Sequence, residues 1–252
     1  MSTEITSPLA IELRHVSKQF GGNHVLDDVS LAIPARCGLC VLGRSGTGKS
    51  VMLKHIVGLI TPDAGQVLVE GENIIEMSHR QLSRTRQRIG FLFQNAALFD
   101  SLTVGDNIAF PLRRHTGLPE AKIVARVRSL LAQVGLERDY ETMPADLSGG
   151  MKKRAGLARA MALEPPILLV DEPSAGLDPV TAAEIDTLLT DLRHRVGTTL
   201  VVVTHNIPSA RAIGDELVFL HDGKILAHGS PEQLDRSEHP LVRDFMRSGA
   251  TG

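Results

Sequence analysis

The 252-residue chain has no tryptophan, one tyrosine and seven phenylalanines, so aromatics make up only 3% of it. Platforms on which bases could stack are therefore scarce. Excess charge is missing too: 27 Lys and Arg face 29 Asp and Glu, for a formal net charge of -2. That balance offers no basic footprint, and no nucleic-acid partner is expected. No apolar run approaches the ~18 residues needed to span a bilayer. The longest, "GLCVLG", "ILLVDE" and "TLVVVTH", are strand-sized. The start, "MSTEITSPLA", carries an acidic residue and no basic-then-apolar design, unlike a secretory signal. Residues 1–10 are read as a flexible leader and the protein as cytoplasmic, with any membrane work done through a partner. Cysteine is equally sparse. Cys37 and Cys40 form a C-x-x-C with no second pair and no histidines at ligand spacing. They are read as lining a buried strand, with a redox or metal pair as the alternative.

What is present is an ordinary globular balance, 42% hydrophobic and 22% charged, in a chain long enough for one large α/β core and an inserted lobe. "AIELRHVSKQF" and "HVLDDVSLAI", joined at Gly21-Gly22, predict an opening antiparallel pair. "LCVLG" reads as a buried strand, "KSVMLKHIVGL" as a helix and "GQVLVEG" as a short strand. A basic helix, "SHRQLSRTRQR", then precedes a short strand ending at Gln94. From about 95 to 163 the pattern turns helical. Ile123, Val127, Leu130, Leu131 and Val134 share one face, and Gly135 stops the run. "ILLVDE" and "TLVVVTH" are apolar on both faces, as in a covered parallel sheet. Pro179 opens and Gly197 closes the helix between them. Asp222-Gly223 turns a hairpin, and Ser230 with Gln233 caps a last helix, leaving 235–252 as a tail.

The chemistry concentrates at a few places. "GRSGTGKS", Gly43 to Ser50, lies between a buried strand and a helix, as a phosphate loop requires. The backbone N–H groups of Gly43, Arg44, Ser45, Gly46, Thr47 and Gly48 would wrap phosphates. Lys49 would reach the β- and γ-phosphates, and the Ser50 hydroxyl would bind Mg²⁺. "ILLVDEP" ends its strand in two carboxylates. Asp171 is placed to share the Mg²⁺ with Ser50, and Glu172 to act as general base on a water. His205 also leaves a strand at the carboxyl edge and could donate to the γ-phosphate; alone, such a His fits a structural role as well. Gln94 could meet Mg²⁺ or the attacking water, though an isolated Gln says little. Phe20 precedes a glycine turn and could stack on adenine or simply pack. "DLSGGMKKRAGLARAM" is a second anion grip: Ser148 caps a helix whose first N–H groups are bared by Gly149 and Gly150. Lys152, Lys153 and Arg154 read as a solvated helix face.

In their order, "GRSGTGKS", Gln94, "LSGGM", "ILLVDE", "SAGLD" and "VTH" resemble an ATP-binding cassette (ABC) ATPase over roughly residues 11–234. The resemblance implies a P-loop NTPase core with an antiparallel β subdomain and an inserted helical subdomain. It implies ATP and Mg²⁺ as ligands, and a homodimer in which Ser148, Gly149 and Gly150 grip the γ-phosphate held by the other subunit, with Asp178 in the same interface. Met151 stands where the family usually has Gln. With the segments around the phosphate loop and Gln94, it resembles ATPases of the Mla/Mce lipid-transport group. That implies membrane permease subunits, an Mce-domain lipid-binding protein and, in some systems, a STAS-domain protein, with the ATPase peripheral on the inner face of the inner membrane. The stretch 94–102, "QNAALFDSL", is the expected permease dock, its apolar run being unusual for a loop unless covered. Transport of another substrate, or a non-transport ABC ATPase, are the alternatives.

Overall fold

The computed structural model describes residues 8–248. Two twelve-residue strands, β1 (Leu9–Phe20) and β2 (Asn23–Pro34), pair antiparallel across Gly21 and Gly22, both at positive φ. β4 (Ala64–Val69) and β5 (Glu72–Asn73) complete a four-stranded sheet of order β2-β1-β4-β5. β1 already includes Leu9 and Ala10, and Ala10 is buried, so the fold begins inside the expected leader. Residues 1–7 of that leader lie outside the described residues.

The second sheet is six-stranded. β3 (Gly38–Leu42), β6 (Ile89–Leu92), β7 (Ile167–Asp171), β8 (Thr199–Thr204) and β9 (Glu216–His221) run parallel, and β10 (Lys224–Gly229) closes antiparallel on β9, giving the order β10-β9-β3-β8-β7-β6. The doubly apolar strands feed two cores through their period of two. Cys40, Leu42, Leu168, Val170, Leu200, Val202 and Phe219 face one core. Val41, Leu169, Val201, Val203 and Leu220 face the other, which they share with the four-stranded sheet and α1 (Lys49–Ile56).

The surface helix α2 (His79–Gln87) starts at a Ser78/Gln81 capping box. The inserted lobe then holds α3 (Val104–His115), α4 (Glu120–Gln133) and α5 (Gly149–Ala160). The predicted stripe on α4 is buried, and Gly135 turns the chain at φ +69. α6 (Pro179–Val196) stops at left-handed Gly197, and α7 (Ile207–Ile213) leads into β9. Ser230 and Gln233 form the expected capping box on α8 (Pro231–Asp235).

That helix is not the last. α9 (Pro240–Ser248) buries Val242 and Met246, and Phe245 meets Phe219 edge-on at 4.9 Å between ring centroids. The expected tail is therefore part of the core as far as residue 248. Among the described residues no helix is long and apolar enough to cross a membrane. Cys37 and Cys40 are unbridged at and on β3. Burial, helped by Glu216 and Asp215, pushes the Cys37 thiol up to about 11, and the fully enclosed Cys40 is raised further.

Candidate functional site

The phosphate loop joins β3 to α1, and its shape depends on glycine. Gly48 caps α1 at φ +98, and a Cβ there would sit 2.4 Å from the Val25 carbonyl oxygen. No side chain caps α1, so its first N–H groups are free for an anion. Lys49 is buried, and its Nζ donates to the carbonyls of Gly43 (2.8 Å) and Arg44 (2.9 Å). Burial lowers its pKa, against the pull of Glu172 and Asp171.

The carboxylate pair lies opposite. Ser50 Oγ donates to Asp171 Oδ1 at 2.8 Å, joining the loop to the end of β7. Burial raises the Asp171 carboxyl pKa, and the Ser50 bond opposes the rise. The buried Asp171 carboxylate and the half-buried Ser50 hydroxyl, with the Gln94 amide lining the adjoining cleft, form an oxygen-donor set that suits a hard divalent cation. Glu172 follows in left-handed backbone, φ +47, which costs a non-glycine residue roughly 1–2 kcal/mol. Its N–H donates to Val203 O at 2.9 Å, and its carbonyl accepts from Lys153 Nζ at 2.8 Å and from the Ala175 N–H at 3.3 Å. The carboxylate lies 2.9 Å from His205 Nδ1 and 3.7 Å from Lys49 Nζ. It is therefore oriented from both sides.

Lys49, Ser50, Gln94, Glu172 and His205 line one cleft of about 300 Å³ at the carboxyl ends of the parallel strands. Val25 lines it as well, which sequence reasoning did not foresee. A neighbouring hollow of about 750 Å³ lies between Gly22–Val25, Arg44–Thr47 and the Asp222-Gly223 turn. Phe20 lines neither; its ring is 45% exposed, with Lys18 Nζ 5.4 Å from the centroid.

The second grip is apart from this cleft. Ser148 caps α5, its Oγ accepting from the Met151 N–H at 3.3 Å, with Ser148 and Gly149 exposed. A Cβ on Gly150 would come within 2.7 Å of Thr181 Cγ2, so the start of α6 is packed against the glycines. Asp178 caps α6, accepting from Val180, Thr181 and the Thr181 hydroxyl, whose bond leads in holding its carboxyl below the usual range.

Two expectations need correction. Lys153 and Arg154 do not belong to a solvated face: Lys153 is 5% exposed and bonds Glu172, while Arg154 bonds Glu184 and the Val134 carbonyl. The helical spacing Gly150–Lys153–Leu157, all buried, was the signal for Lys153. Nor is the 94–102 run uncovered. Ala96 is buried and Leu98 packs on the lobe core, leaving Phe99 exposed beside Phe110, ring centroids 5.0 Å apart. Ala96 and Ala97 are both left-handed, and Arg159 donates to their carbonyls at 2.8 and 2.7 Å. A groove of about 460 Å³ lies here, lined by Phe91, Phe93, Phe99, Phe110 and Arg159 among others.

Comparison with known proteins agrees with this geometry. The family described as ABC transporter matches residues 26–175. The intermembrane phospholipid transport system ATP-binding protein MlaF of Escherichia coli K12 is 42% identical, covering 96% of this chain and 90% of its own. The probable ribonucleotide transport ATP-binding protein mkl of Mycobacterium tuberculosis H37Rv is 43% identical, over 97% and 68%. Among solved structures, a dimeric post-hydrolysis state of the ATP-binding cassette MJ0796 bound to ADP and Pi superposes with a TM-score of 0.81 and 33% identity, covering 87% of this chain and 98% of that one. A family match across more than half of the sequence, on a fold whose strand ends gather the phosphate loop and its carboxylates, makes this ATPase a member of the ABC transporter family.

Proposed function

We propose that the chain is the ATP-hydrolysing subunit of a bacterial phospholipid transporter, working as a homodimer against permease subunits at the cytoplasmic face of the inner membrane. The convergence of Lys49, Ser50, Gln94, Glu172 and His205 on one cleft carries the enzymatic part. Similarity to MlaF supports the phospholipid part.

The backbone of the phosphate loop and Lys49 hold the β- and γ-phosphates. Ser50, Asp171 and Gln94 would hold Mg²⁺, which supplies charge neutralisation to the phosphates. Glu172 takes a proton from water as its oxygen bonds to the γ-phosphorus and the bond to the ADP oxygen breaks. His205, 2.9 Å from Glu172 Oε2, holds the carboxylate in orientation and stands at the phosphate edge. Phe20, on the hairpin flanking the larger hollow, is the adenine-stacking candidate. Ser148, Gly149 and Gly150 offer the N–H groups at the start of α5 to the partner's γ-phosphate, with Asp178 bordering that interface. The groove at Phe99 and Phe110 is the permease dock, and an Mce-domain protein and a STAS-domain protein complete the assembly.

Glu172→Gln tests the enzymatic core. Hydrolysis should fall about 10²-fold or more while ATP binding persists; near-normal turnover rejects the assignment. Lipid analysis of the complex co-purified from membranes tests the cargo. Bound phospholipid supports the proposal, whereas bound ribonucleotide beyond ATP would favour the activity that mkl's name carries.

A further inference from the structure

Lys153 is the charged member of the buried stripe on α5. A lysine ammonium inside a protein has given up its hydration and needs compensation. Its Nζ donates to the Glu172 carbonyl at 2.8 Å, and the carboxylates of Asp171 and Glu172 attract it. Stability alone does not call for such an arrangement, since an apolar side chain of similar volume would fill the space without the desolvation cost.

What the bond touches is specific. Glu172 stands in left-handed backbone, so the direction of its side chain follows from how its two flanking peptides are held. The preceding peptide is anchored to β8 through Val203 O. The following one is held by Lys153 and, at a longer 3.3 Å, by the Ala175 N–H. We infer that Lys153 is a positioning residue for ATP hydrolysis, gripping the Glu172 carbonyl so that the Glu172 carboxylate stays aimed into the cleft between Lys49 and His205. This rests on the reading of Glu172 as the base. It also makes α5 serve two sites, with its Ser148 end offered to a partner's nucleotide and Lys153 clamping the base of its own.

Steady-state ATPase assays of the full chain test the idea with Lys153→Met, Lys153→Arg and Glu172→Gln side by side. Lys153→Met should lower kcat about tenfold and leave the KM for ATP within about twofold, because alignment rather than binding is lost. Lys153→Arg, whose guanidinium can reach the carbonyl, should restore most of kcat. If Lys153→Met does not accumulate folded, the same split is read on Lys153→Gln, whose amide stays polar but stops short of the carbonyl. Wild-type kcat in whichever of these is folded, or a loss that raises KM and lowers Tm and that arginine does not rescue, overturns the proposal while a dead Glu172→Gln keeps the site reading intact. Near-normal turnover of Glu172→Gln overturns both.

Discussion

Asn107 anchors the loop that carries Phe99 at the proposed permease groove, and its removal has a calculable cost. The side chain is fully buried on α3. Its Oδ1 accepts from the Phe99 N–H at 2.8 Å, and its Nδ2 donates to the carbonyls of Phe99, Leu102 and Thr103 at 3.1, 3.1 and 3.0 Å. Two amide hydrogens serve three acceptors, so one is shared. Asn107→Ala strands one N–H and takes a donor from three carbonyls. The Thr103 carbonyl keeps its intrahelical bond from Asn107 N and the Phe99 carbonyl its bond from Leu102 N, which leaves two groups, the Phe99 N–H and the Leu102 carbonyl, short of a partner. At about 1 kcal/mol each, the loss is ~2 kcal/mol. For a chain of this size that corresponds to a fall in Tm of about 4–8 °C. Differential scanning calorimetry reads the loss. Nucleotide affinity of the folded variant should be unchanged, because none of these bonds reaches the phosphate loop. A fall in Tm below about 2 °C would mean that water replaces the lost bonds and that Asn107 does not hold the loop.

Further outcomes follow from other contacts. Asp186 is buried on α6 with Oδ1 unbonded, and burial raises its pKa against the Ser209 bond. Because the folded pKa exceeds the unfolded one, wild-type stability is favoured below the unfolded pKa and lost as pH rises through the folded one. Asp186→Asn should therefore raise Tm at pH 7.5, with the gain shrinking as acid protonates the wild type; an equal gain at both ends refutes this. Phe99→Asp should abolish co-purification with the permease and spare ATP affinity, since the ring is exposed; retained permease removes the groove from the dock. In a heterodimer of fixed composition, pairing Lys49→Ala with Ser148→Arg collects both lesions in one composite site and leaves the other intact. It should bind ATP at that site, and complete loss of binding under conditions that saturate the wild type would reject the shared-site arrangement.

Features whose cause is local were legible before the fold was known. The phosphate loop, the Ser230/Gln233 box, the Gly197 stop and the buried stripe on α4 each depend on residues within a few positions of one another. The strand order was not legible, because β3 pairs with β8 and β9 across more than 150 positions and no local pattern encodes that. α9 was mistaken for a tail, although Val242 and Met246 stand four apart and share a buried face. Its short length hid a signal that Phe219, far back in the chain, makes meaningful. Lys153 was misread for a similar reason. Lysine is almost always solvated, and only the proximity of the Glu172 carbonyl, 19 positions away, explains the exception.

The raised pKa values of the two thiols, half-buried Cys37 just before β3 and enclosed Cys40 within it, have a practical consequence. With the Cys37 thiol pushed up to about 11 and Cys40 raised further, little of either is thiolate at neutral pH. Maleimides and spin labels react through the thiolate, so the native cysteines should react slowly with them. A single cysteine introduced at Val180, which is 71% exposed beside the α6 cap, would then be the dominant reactive site. Distances between two such labels could follow the approach and separation of subunits during turnover without first stripping the protein of its own sulfur.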